Sequence, residues 1–263
     1  MNILIANNRN ITRGEVSLLA ARLSTKHKVT VAYMEQDASF KGLAFSYENA
    51  PVHVNQVSGH SAEGVAVFEF GSYPADMISI MLGEIMRHDP PDLVICGISN
   101  GVNMGPDIYS SSNVGMAIES TFFGIPAIVI ATEYNQGGNS ITHLEPVIKF
   151  VEKNLDKFAN LELPAHTFLN INVPRVEKYK DIKGIKFTHM GKSNMKLEYI
   201  ERTCPKGRKY YWSKIASQEN MDKGGEDDKT WFDQGYISIS PISYDPTDLE
   251  GIKSMRNLAR EAK

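Results

Sequence analysis

Short, nearly all-apolar runs alternate with stretches of helical spacing through most of the chain. Ile3-Leu4-Ile5 opens the pattern and breaks at Ala6 into the polar cluster Asn7-Asn8-Arg9-Asn10. After Gly14, the residues Val16, Leu19, Ala20 and Leu23 recur at a period near 3.6, which predicts a helix. A β-branched run at 28–33 then completes a βαβ unit. Short strands are expected at 52–57 and 65–70. Met77, Ile80, Met81 and Ile85 predict a helix within 75–87, stopped by His88-Asp89-Pro90-Pro91. The runs DLVIC at 92–96 and IPAIVIAT at 125–132 carry almost no polar positions, as strands covered on both faces do. A helix starting at 114, another over 142–158 and a strand over 167–173 continue the alternation. This order predicts an α/β fold, a doubly wound three-layer α/β/α (Rossmann-like) core over 1–178. In such sheets ligands lie beyond the carboxyl ends of the strands. The polar loops after the first strand, at 34–42 and at 97–113 all fall there.

The pattern changes after residue 178. Runs at 183–188, 209–212 and 235–241 read as short strands with aromatic content, and a polar tail ends in a short helix. The stretch NMDKGGEDDKT at 220–230 reads as a flexible, solvated acidic loop. One domain over 1–263 is expected, with 179–263 as a β-rich, hairpin-bearing extension.

Composition narrows the partners. The chain has 263 residues, 42% hydrophobic and 22% charged, with a formal net charge of −3. That balance gives no electrostatic basis for non-specific nucleic-acid binding. No apolar stretch reaches membrane-spanning length. The N-terminus enters a strand without a basic segment or a long apolar run, so a cytoplasmic location is expected. Cys96 and Cys204 are far apart and read as free thiols. No pair of histidines shows a ligand-like spacing.

The loop at 97–113, GISNGVNMGPDIYSSSN, is far longer than the ~2–6 residues usual for a βα connection. It ends in Ser110-Ser111-Ser112-Asn113, directly before the helical pattern that starts at Val114. Serine and asparagine there suit a helix N-terminus, and the same backbone N–H groups favour a bound phosphate. Asp76 heads a helix and reads as a capping partner.

With these motifs laid out, the chain resembles the SurE family of metal-dependent 5′/3′-nucleotidases. The resemblance rests on GSYPAD at 71–76, PDLVICGISNGVNMG at 91–105, the helix start at 111–115 and GIPA at 124–127. It continues through NINVP at 170–174, IKGIKFTHMG at 182–191, ERTCPKGRKYYW at 201–212 and the strand at 235–241. It implies a SurE-like fold, a nucleotide or other phosphomonoester as ligand, and a homodimer or homotetramer held through the extension. Asp228 aligns with an aspartate of the family's GTD motif, which implies a supporting role near the pocket.

The family holds Mg²⁺ or Mn²⁺ on two aspartates of an NDDG motif, a serine, and the asparagine of its SGIN motif. By position these fall on Asn8, Arg9, Ser39 and Ser99, of which Ser39 alone keeps the family residue. The replacement moves the local charge by about three units, against a hard cation that needs carboxylate oxygens. Metal-dependent hydrolysis is therefore expected to be lost or altered, as in a pseudoenzyme. Phosphate capture by Arg9, Asn103, Ser111, Ser112 and Asn113 is expected to persist, with the Arg9 guanidinium standing in for the cation. The alternative is an active phosphomonoester hydrolase with a rearranged metal site.

Overall fold

A computed structural model describes residues 1–10, 14–58, 62–133, 144–220 and 225–261. The first strand, β1 (Asn2–Asn7), shows how its residues build the layers. Ile3 and Ile5 point into one buried cluster while Leu4 and Ala6 point into the other, because successive side chains leave a strand on opposite faces. Both faces must then be covered. On one side lie α1 (Glu15–Leu23), through Val16 and Leu19, and α4 (Glu145–Ala159), through Val147, Ile148 and Val151. On the other lie α2 (Pro74–Ile80), which runs on through a π turn at Met81–Ile85, and α3 (Ser112–Phe122). The expected three-layer α/β fold is present.

The remaining strands are β2 (Lys28–Met34), β3 (His53–Gln56), β4 (Ala66–Gly71), β5 (Leu93–Asn100), β6 (Ala127–Thr132), β7 (Thr167–Val173), β8 (Ile185–Phe187), β9 (Ser193–Thr203), β10 (Lys209–Asn220) and β11 (Ile237–Ser243). Among the described residues, nine of the eleven strands, β1 included, form one sheet in the order β3-β4-β2-β1-β5-β6-β7-β11-β8. The pairs from β4 to β7 are parallel, and β11 joins β7 antiparallel. The chain leaves β1 to one side for β2 and returns on the other side as β5. The carboxyl ends of β1 and β5 therefore frame the switch point where the sheet opens a crevice. Cys96 sits on β5, fully buried, and burial pushes its thiol well above its ordinary range, which makes it an inert core residue.

Three expectations at the C-terminal end need correction. Strands β9 and β10 make a separate antiparallel hairpin with Tyr199, Tyr211 and Trp212 exposed. It is much longer than the run at 209–212 suggested, because exposed polar residues on it hide any burial period. The acidic stretch is not a solvated loop in its described part. Asp227 and Asp228 are buried, and α5 (Asp228–Asp233) begins there. Backbone N–H groups take up both carboxylates, which is what allows them inside. Residues 221–224 of that stretch, and the predicted helix start at 142, lie outside the described residues. The final helix, α6 (Leu249–Glu261), is also longer than the short helix expected.

Candidate phosphate-binding site

Asn7 ends β1 and turns the chain. Its Oδ1 accepts from the Arg9 backbone N–H at 2.9 Å, while its Nδ2 donates to Ile98 O at 3.4 Å. This Asx turn aims Asn8 and Arg9 at the loop that follows β2. Asn8 Nδ2 lies 3.4 Å from Ser39 Oγ, and the Ala38 N–H returns a bond to Asn8 O at 2.9 Å. Arg9 Nε donates to Ser39 Oγ at 3.1 Å and lies 3.3 Å from Asp37 Oδ2. Asp37 Oδ1 also accepts from the Ser39 N–H, at 2.9 Å. The guanidinium is thus held by one carboxylate and one hydroxyl of the neighbouring loop.

That loop is in turn fastened to the start of α3. Ser112 Oγ donates to Ala38 O at 2.6 Å and accepts from the Lys41 N–H at 2.9 Å. The Gly42 N–H donates to Ser110 O at 3.0 Å. The approach is so close that a Cβ on Gly115 would stand 2.2 Å from Gly42 O, so only glycine fits there. Ser111 caps α3 by accepting from the Val114 N–H at 3.3 Å. The hydroxyls of Ser111 and Ser112 therefore build the site, and what this stretch offers a ligand is its backbone N–H groups and the positive end of the helix.

Asn103 is held by its backbone. Asn172 on β7 accepts from its N–H at 2.8 Å and donates to its carbonyl at 2.9 Å, while Asn170 Nδ2 donates to the same carbonyl at 2.7 Å. The side chain is left free by this clamp. Asn103 Nδ2 and Asn113 Oδ1 are both buried without a protein partner, an expensive state for a polar atom unless a ligand or solvent meets it.

Asn8, Arg9, Ser39, Ser99, Asn103 and the 110–113 stretch converge on one cleft of about 200 Å³. That is room for roughly seven waters at their liquid volume, enough for a phosphate group and its first attachment. The structure thus brings all eight residues singled out in the sequence to one wall. Among the described residues of that wall, Arg9 and Asp107 carry the formal charges. Larger hollows, one of which shares Ser111 with the cleft, are lined by none of the buried unpartnered side-chain atoms found among the described residues.

These residues do not fit a divalent metal. The implied ligand positions supply an amide, a guanidinium and two hydroxyls, with no carboxylate, and Asp37 is already paired with Arg9. A divalent cation there would meet Arg9 within a few ångströms, at a repulsion of about 8 kcal/mol for a separation of ~4 Å and an effective dielectric near 20. Among the described residues, no group of three or more His, Cys, Asp or Glu side chains is placed to hold a metal.

Two further residues, Asn170 and Asn172, belong to the site although they lie in a strand and not in its polar loops. Asn170 and Asn172 stand two apart in an otherwise apolar strand, hence on one face, and that spacing is the sign that marks them. Asp228, which the family resemblance puts near the pocket although its acidic neighbours read as solvated, is buried.

The comparisons with known proteins agree with this three-layer α/β fold. The family model "Survival protein SurE" matches residues 3–197. The chain is 31% identical over 257 residues to the 5′-nucleotidase SurE of Thermoanaerobacter sp. strain X514, covering 98% of each. It is 32% identical over 255 residues to the protein of that name from Thermosipho melanesiensis, covering 97% of this chain and 96% of the other. The crystal structure of the SurE protein from Aquifex aeolicus superposes with a TM-score of 0.79 at 26% identity, over 98% of this chain and 100% of that one. The chain belongs to the SurE family.

Proposed function

We propose that this protein binds phosphomonoesters, nucleoside monophosphates first among them, and that it has lost metal-dependent hydrolysis. The observation that carries this reading is the position of Arg9. A guanidinium held by Ser39 and Asp37 stands where the family resemblance puts a metal-binding carboxylate, beside the Asn103 amide and the start of α3. Guanidinium, amide and helix N-terminus together favour a phosphate dianion. None of them generates hydroxide at neutral pH, which is the metal's task in phosphoester hydrolysis. Binding thus survives without its chemistry. The exposed aromatic residues of the β9–β10 hairpin support assembly as a homodimer or homotetramer, and the composition supports a cytoplasmic setting.

The test is phosphate release from nucleoside monophosphates with Mg²⁺, Mn²⁺ or EDTA, alongside calorimetric titration of the same nucleotides. Binding that is indifferent to metal, without turnover, is expected. Metal-stimulated turnover at ordinary enzyme rates would establish the alternative, an active nucleotidase with a rearranged metal site. The triple variant Asn8→Asp, Arg9→Asp, Ser99→Asn is expected to acquire Mn²⁺ affinity, read by the paramagnetic resonance of the free ion.

A further inference from the structure

Asp228 opens α5, in the C-terminal part of the chain, yet its side chain is spent largely on the core. It is 1% exposed. Oδ1 accepts from the Gly191 N–H at 3.0 Å and the Lys229 N–H at 2.8 Å. Oδ2 accepts from the Gly105 N–H at 3.0 Å, across 123 residues of sequence. Asp227 beside it caps the helix through the Thr230 N–H and hydroxyl, so capping does not require Asp228.

The two oxygens do different work. Oδ1 ties together the segments at 191 and 229, both outside the sheet core. Oδ2 reaches Gly105, two residues beyond Asn103 in the loop that walls the phosphate cleft. The clamp from Asn170 and Asn172 on β7 and the bond from Asp228 on α5 hold that loop at two nearby points. Between them they fix the backbone from which the unpartnered Asn103 Nδ2 projects. Burying a carboxylate is costly, and burial pushes its titration upward against the pull of the three N–H donors. A neutral asparagine at 228 would still accept from Gly191 and Lys229, though more weakly, and it is only the Gly105 bond that demands the second acceptor oxygen.

We infer that Asp228 is a positioning residue of the phosphate site, whose Oδ2–Gly105 bond sets the loop so that Asn103 meets the ligand. This rests on the phosphate-binding reading of the cleft. Asp228→Asn in the full chain is the discriminating variant. Its remaining oxygen keeps Gly191 and Lys229, while its NH₂ group turns a donor on the Gly105 N–H. Amide exchange at Gly105 is expected to accelerate with Gly191 unchanged, and the melting temperature measured in parallel reports any general loss of fold. Affinity for inorganic phosphate, followed through the Asn103 side-chain amide resonance, is expected to fall about tenfold. Unchanged affinity, within twofold, together with accelerated Gly105 exchange would overturn the assignment while leaving the phosphate site standing. A wild-type protein that binds no phosphate would instead overturn the phosphate reading, and Asp228's role with it. Should Asp228→Asn fail to fold, Gly191→Ala displaces the same carboxylate, because its added methyl would lie 2.9 Å from Asp228 Oδ1. A severalfold loss of phosphate affinity is expected there too, and none, with a shifted Gly105 amide resonance, would count equally against the proposal.

Discussion

Arg9→Ala puts the central electrostatic claim at risk. The substitution removes a guanidinium from the cleft wall and releases Asp37, whose carboxylate was 3.3 Å away. The Arg9 side chain is 21% exposed, so its field acts through a medium between protein and bulk water. For a phosphate oxygen about 4 Å from the charge, the pair is worth ~1 kcal/mol at the dielectric of water and ~4 kcal/mol at an effective value of 20. Asp37 is 47% exposed, so the repulsion it adds once Arg9 is gone lies near the solvent-screened end of that range. Together these predict a loss of phosphate or nucleotide affinity of roughly 10- to 100-fold, equivalent to about 1.4–2.8 kcal/mol. Isothermal titration at two ionic strengths measures it, and the wild-type advantage is expected to shrink as salt rises. Asp37→Ala on the Arg9→Ala background is expected to recover part of the loss, giving the coupling energy of the pair directly. Arg9→Lys is expected to fall in between, since the ammonium keeps the charge but not the planar fork. An Arg9→Ala protein that binds within twofold of wild type would show that the guanidinium serves Asp37 and Ser39 alone.

Two further outcomes follow from the packing around the cleft. Gly115→Ala places a methyl 2.2 Å from Gly42 O, a backbone atom that cannot move alone. It is expected to cost about 1–3 kcal/mol in thermal unfolding and to weaken phosphate binding by lifting the loop that carries Ser39. Glu119 on α3 is buried, accepts from the Ser79 hydroxyl, and is pushed upward in pKa by burial and then by the nearby Asp76 charge, against that hydroxyl bond. A raised folded pKa means that the native state binds the proton more tightly, so this group's contribution falls as pH rises through the ordinary carboxylate range into the raised one. Glu119→Gln is therefore expected to raise the melting temperature at neutral pH and to change it little at about pH 4, and a loss at neutral pH would show that the ionised form is needed.

The layers were legible because their physics is local. The run DLVIC and the mixed-face packing of Ile3, Leu4 and Ile5 belong to strands covered on both sides, and no other environment suits them as well. The cleft was legible for a similar reason. Loops at the carboxyl ends of β1, β2 and β5 must meet at the switch point, so Asn8, Ser39 and Asn103 come together through topology alone. What did not show in the sequence depends on pairings across long separations. Asp228 reads as solvated until Gly105, 123 residues away, is seen to donate to it. Asn172 reads as an odd polar residue in a strand until it is seen to bind both backbone groups of Asn103. A hairpin in the extension was expected, but the full length of β9 and β10 was not, because exposed strands carry no burial period.

The two halves of this site are made of different material, and that explains how one can change without the other. The anion cradle consists of the α3 start, the clamped Asn103 backbone and the stapled 38–42 loop, all tied into the sheet by buried hydrogen bonds. Altering it strands buried donors and acceptors at about 1–3 kcal/mol each, a large fraction of a domain's net stability. The cation position, by contrast, rests on side chains. Arg9 touches the rest of the fold through its Nε contacts with Ser39 and Asp37, and Asn8 through a single long bond from its side chain. Aspartates there would lose those contacts without opening the core, so the triple variant should fold as the parent does. Its Arg9→Asp change would also remove the ion pair to Asp37, which keeps its bond from the Ser39 N–H. Regained Mn²⁺ affinity at unchanged stability would place the difference between binder and hydrolase in these few side chains. A triple variant that melts well below the parent would instead show Arg9 to be part of the fold's own support.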